Sequence, residues 1–70
     1  MSNYSESEKN KQRFKNKIVD YIMEKGGVVS GYMILISVNF YSHAYMHKCL
    51  SELIREKKIE KVKTGYKLKG

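Results

Sequence analysis

His43 and His47 stand four residues apart. That spacing sets two imidazoles on one face of a helix, the minimum geometry for two metal-ligand nitrogens. No third ligand joins them, because Cys49 would lie roughly 200° around the helix from His47, so a resident metal is not expected. Asp20 and Glu24 share the same spacing, but on the outward face of another helical stretch, where solvated charge is the expected role. There is no Gly-rich phosphate loop, no nucleophile beside a base and no inward-facing carboxylate pair. Neither enzymatic activity nor a cofactor is expected from such a set. The chemistry left is cationic: Lys and Arg number 14 against 7 Asp and Glu, a net charge of +7 on 70 residues. A surplus of that size favours a polyanionic partner through Coulomb attraction and counterion release.

The charge is unevenly placed. Lys9, Lys11, Arg13, Lys15 and Lys17 form a basic run with no acid inside it, and Gly26 to His47 carries no Asp, Glu, Lys or Arg. From Lys48 onward, Lys48, Arg55, Lys57, Lys58, Lys61, Lys63, Lys67 and Lys69 outnumber Glu52, Glu56 and Glu60. Anionic membrane is the competing polyanion, yet no stretch combines a clean basic face with a bulky apolar one. The longest apolar run, Tyr32 to Ile36, is far too short to span a bilayer. The polar first ten residues lack the apolar stretch of a signal peptide. A soluble, cytoplasmic chain is the expectation. Cys49, the single cysteine, excludes an internal disulfide and reads as a small core residue.

Residues 1–8 alternate Ser and Glu and read as a flexible tail, leaving 9–70 as one domain. Phe14, Ile18, Tyr21 and Ile22 mark the apolar face of a first helix, from about Lys9 to Lys25, stopped by Gly26-Gly27. Val28-Val29 suits a short bridging strand, and Ser30 suits the cap of a second helix through Val38. Periodicity alone leaves that stretch open between helix and strand. It is also greasier than a three-helix core needs, which suits either a well-filled core or a patch for dimerisation or another protein. Ser42 begins a third helix to about Lys57, with Met46, Leu50 and Leu53 inward and Ala44, Lys48, Ser51 and Arg55 outward. Glu52 and Glu56 stand at helical spacing from Lys48 and its neighbours, as local ion-pair partners. Ile59 to Val62 and Tyr66 to Leu68, around Gly65, predict a tight hairpin.

The order of elements resembles the winged helix-turn-helix superfamily, as do the residues Gly26-Gly27-Val28-Val29-Ser30, Tyr41-Ser42, Met46, Leu50, Leu53, Ile59 and Gly65-Tyr66-Lys67-Leu68. The likeness spans about residues 12 to 69. One departure is Lys57-Lys58, where many members place glycine; lysine can adopt the needed conformation at some cost. The fold this implies is mainly α with a small β-hairpin: three helices plus a two- or three-stranded wing sheet.

The resemblance implies duplex DNA as partner, with the third helix in the major groove and transcription regulation as the role. Ser42, His43, Ala44, Tyr45, His47, Lys48 and Ser51 would be nearest the bases. In the wing Lys61, Lys63, Thr64, Lys67 and Lys69 suit phosphate, and Lys11, Arg13 and Lys15 of the first helix suit flanking phosphate. Keeping cations at a helix start, against the dipole, also points to such a use. Partial burial against the wing is the competing role for Tyr45, and solvated surface for the two histidines. A homodimer is an expected assembly, since one module covers one half-site. Two alternatives remain. One is a replication or mobile-element accessory protein with little sequence preference, stacking single-stranded bases on Tyr32, Phe40, Tyr41, Tyr45 and Tyr66. The other is a protein-interaction module using the uncharged Gly26 to His47 surface. No small-molecule ligand is expected.

Overall fold

The computed structural model describes residues 2–40 and 42–69, with side chains from residue 9 onward; Tyr41 lies outside the described residues. Helix α1 spans Ser2–Lys25, α2 Gly31–Val38 and α3 His43–Arg55, followed by strands β1 (Ile59–Val62) and β2 (Gly65–Leu68). The chain is thus mainly helical, with one antiparallel hairpin. The backbone of α1 begins well before the expected Lys9, since no Gly or Pro interrupts residues 2–25. Lys9 to Lys17 therefore sit in mid-helix, where the dipole argument for their use does not apply, because that field fades within the first turn.

Each helix ends for a local reason. Gly26 takes φ 72° as its N–H donates to the Ile22 carbonyl (3.0 Å), which closes α1. Ser30 and Ser42 cap α2 and α3, their hydroxyl oxygens accepting from the Met33 and Tyr45 N–H groups at 3.2 Å. The apolar α2 stretch is helical and not a strand. Asn39 (φ 68°) closes it, with Phe40 N–H on Leu35 O and Asn39 N–H on Ile36 O. The same paired bonds recur after α3: Lys58 N–H to Leu53 O and Lys57 N–H to Ile54 O, with Lys57 at φ 64°. Lysine does take the conformation that glycine adopts more cheaply.

One core joins these elements. Ile18 and Ile22 of α1, Ile34 and Val38 of α2, and Met46, Cys49, Leu50 and Leu53 of α3 are buried together with Val29, Phe40, Ile59 and Tyr66. Phe14 stacks on Phe40 (centroids 4.6 Å), and Tyr45 meets both rings edge-on at 5.6 and 6.0 Å. Tyr45 is therefore packed against α1 and the α2–α3 connection.

In the hairpin Ile59 faces Leu68, Glu60 Lys67, Lys61 Tyr66 and Val62 Gly65, with Lys63 and Thr64 as the turn. Gly65, expected in the turn, is thus the first residue of β2. Val29 adds a third rung, as Val29 and Tyr66 exchange backbone hydrogen bonds of 2.9 and 2.7 Å. That contact leaves no space at Gly65, where a Cβ would collide with the Val29 carbonyl oxygen.

Gly65→Ala is expected to destabilise the chain by about 3 kcal/mol. Gly27→Ala, with nothing within 4 Å of the added carbon, is expected to stay within about 0.5 kcal/mol. Urea denaturation midpoints check both, and equal midpoints for the two variants would contradict the packing at Gly65.

Candidate nucleic-acid interface

Four outward positions of α3, Ala44, Lys48, Ser51 and Arg55, recur at helical spacing and are exposed, as are His43 and His47 at its start. Ser42 is half-buried at the cap, where its hydroxyl is engaged by the Tyr45 N–H. Tyr45 is half-buried among Phe14 and Phe40, so its ring belongs to the packing more than to the outward row. The His43 and His47 rings lie 5.9 Å apart. Among the described residues no group of three His, Cys, Asp or Glu is placed to hold a metal ion. Arg55 lies in line with Lys48 yet was not among the expected contact residues. Its seven-residue offset from Lys48 was the available signal.

Glu52 of α3 and Glu56 at its C-terminal cap face another way. The Lys15 ammonium donates to Glu56 Oε2 at 2.6 Å and to Glu52 Oε1 at 3.1 Å, and Lys11 lies 2.8 Å from Glu52 Oε2. Glu52 and Glu56 thus bind α1, 37 and 41 residues away from Lys15 in sequence, and are not local partners of Lys48. The spacing explains it: Lys11 and Lys15 are one helical turn apart on α1, as Glu52 and Glu56 are on α3, so two rows meet.

Lys15 is 4% exposed, which corrects its assignment to flanking phosphate. Burial pulls its ammonium pKa down, but the hydrogen bonds to Glu56 and Glu52 outweigh burial and hold it above the ordinary lysine value. Lys11, half-buried, is drawn into the same network. Arg13 is exposed, in line with Lys9 and Lys17 on the outer side of α1, and Lys17 also lies 5.9 Å from the Phe14 ring centre. The basic run therefore divides into an inner row that orients α3 and an outer row facing solvent.

The hairpin lysines differ among themselves. Lys61, Lys63, Lys67 and Lys69 are exposed, and so is Thr64. Lys67 pairs across the strands with Glu60 at 3.6 Å, and Lys61 extends over the Tyr66 ring at 5.8 Å. Lys63 stands in the turn itself.

Cys49 is buried and forms no disulfide, its thiol pushed up from the usual range first by burial and then by Glu52. It is a core residue, as expected. Of the tyrosines and phenylalanines expected to stack bases, Phe40 and Tyr66 are buried, Tyr45 is half-buried and Tyr32 is exposed. No helix among the described residues is long and apolar enough to cross a membrane. No family model, curated protein or solved structure matches the chain.

Two predictions concern the α1–α3 network. The hydrogen bonds from Lys11 and then Lys15 hold the Glu52 carboxyl below its usual pKa. A lowered carboxylate pKa stabilises the folded state above the unfolded value and ceases to do so as pH falls through the folded one. Stability is therefore expected to begin falling below about pH 4.5, and Glu52→Gln should flatten that slope in urea titrations run from pH 7 to 3. Stripping Lys15 of both partners in the double variant Glu52→Gln, Glu56→Gln is expected to cost about 1–2 kcal/mol, discounted for the exposed carboxylates. Lys15→Met should cost less than that double change, because it removes the buried charge itself. The reverse order in denaturation would show that Lys15 does not depend on these carboxylates.

Proposed function

We propose that this chain is a winged helix-turn-helix module that binds duplex DNA, with α3 in the major groove and the β1–β2 hairpin as a wing on the phosphate backbone. The observation that carries the reading is the segregation of charge on α3. Its outward residues His43, Ala44, His47, Lys48, Ser51 and Arg55 include no acid, while Glu52 and Glu56 are neutralised by lysines of α1. A groove wall is polyanionic, so a helix whose carboxylates are held by lysines of a neighbouring helix and whose cations face outward suits it. The order of three helices and a hairpin, with Val29 as the third rung of the sheet, is what the resemblance implies.

In this arrangement Lys63 and Thr64 at the hairpin turn, with Lys61 and Lys69 beside them, meet phosphates and set register without reading sequence. Arg13, Lys9 and Lys17 supply a second cationic edge. Lys48 is the one strong base-reading donor near the start of α3, with Arg55 at its far end. Arg and Lys give the most discriminating contacts to guanine, whereas Ala44 and Ser51 discriminate little. Affinity therefore exceeds specificity, and the role proposed is a small regulator whose preference owes much to DNA shape. Burial of Phe40 and Tyr66 favours this reading over a stacking platform for single strands.

Anisotropy of a labelled duplex across a salt series tests the proposal. About six phosphate contacts give a log–log slope near −5. Lys63→Ala should weaken all sequences alike and lower the slope by about 1. Lys67→Ala should do less, because Lys67 already answers Glu60. Lys48→Ala should reorder preference among duplexes in a site selection from a random library. Absence of binding at low salt would overturn the assignment, and tighter binding to single strands would redirect it.

A further inference from the structure

Among the described residues, three of the six exposed large apolar side chains lie on α2. Tyr32, Met33 and Ile36 are 67, 44 and 55% exposed, while Ile34 and Val38 on the opposite side are buried. Their spacing puts the three on one side of the helix. Around them the chain carries no Asp, Glu, Lys or Arg from Gly26 to His47, although the whole protein has a net charge of +7. An exposed apolar cluster of this kind marks a contact surface.

We infer that this face of α2 binds the same face of a second copy, pairing two modules on one duplex; the inference rests on the DNA-binding reading above. Charge chooses the occupant. Two copies at +7 repel wherever lysines meet, so they approach most cheaply through the one segment that carries no charge. An apolar, uncharged face is also self-complementary, which a two-fold symmetric contact requires.

Area sets the strength. Three such side chains offer on the order of 300 Å² per copy, against roughly 800 Å² per partner in a stable complex. In free solution the pair is therefore weak. On a duplex the phosphates screen the repulsion and hold neighbours at an effective concentration near the millimolar range, where a weak contact suffices. The pairing also supplies what one module lacks. Two α3 helices double the few base-reading residues that one copy presents.

Duplexes of about 12 and about 30 base pairs, holding one and two copies respectively, separate the ideas. Wild-type protein should bind the longer duplex cooperatively and the shorter one simply. Ile36→Glu and Met33→Lys, both at exposed positions and each checked for native circular dichroism, should keep binding to the short duplex within about twofold. On the long one they should abolish cooperativity and raise half-saturation about tenfold. Non-cooperative wild-type binding, or cooperativity that survives in both variants, overturns the proposal. If neither duplex is bound, the DNA reading fails by itself, and sedimentation equilibrium at high protein concentration decides the pairing. Self-association lost in Ile36→Glu supports it, and a monomer throughout overturns it, leaving the face to a different protein.

Discussion

Two backbone hydrogen bonds between Val29 and Tyr66 join the segment after α1 to the hairpin, and the absence of a side chain at Gly65 is what permits them. An isolated two-stranded hairpin is marginal in water. Here the third rung and the buried Tyr66 ring make the hairpin part of the core. The same ring lies beside Gly31 at the start of α2, where a Cβ would come 3.7 Å from it. One close approach thus ties the wing to the capped start of α2, while Ile59 seats β1 on α3. In a chain with so small a core, where every fully buried Ile or Leu contributes about 2 kcal/mol, few contacts are dispensable. The angle between α3 and the hairpin depends on this one.

The second constraint is electrostatic, and it links stability to the surface that faces a ligand. Burying an ammonium such as Lys15 is costly unless partners satisfy it. Two carboxylates do so here, and in doing so they leave the outward side of α3. The arrangement is thus more than a stabilising bridge. It removes negative charge from the face proposed for DNA while holding α3 against α1. A basic run that reads as uniformly available for phosphate is split by helical geometry into two rows with opposite fates.

Local signals carried much of this into the sequence. The caps at Ser30 and Ser42, the stop at Gly26, the inward stripe of α3 and the Val29 rung all follow from residue types whose backbone preferences are strong. The special backbone conformation at Lys57 was legible only through the resemblance, which sets glycine there in many members. What the sequence hid were long-range partners. Nothing local tells Glu52 to pair with a lysine 37 residues earlier rather than with Lys48 one turn away, and Tyr45 could have packed on either side of its helix. The early start of α1 was hidden for another reason: polar Ser and Glu residues carry no apolar period, so a solvated helix and an unstructured tail look alike.

The α2 face and the charge distribution bear on each other. Tyr32, Met33 and Ile36 offer phosphate oxygens no donor but a phenol. Phosphate affinity must then come from α1's outer row, from α3 and from the hairpin, which places the cations around an apolar centre. At physiological ionic strength charges interact over about 8 Å, so cations on two copies oppose any contact that brings them within that range. Uncharged sequence in the middle of so basic a chain is then what lets a second molecule approach, and DNA supplies the neutralisation that makes the approach favourable.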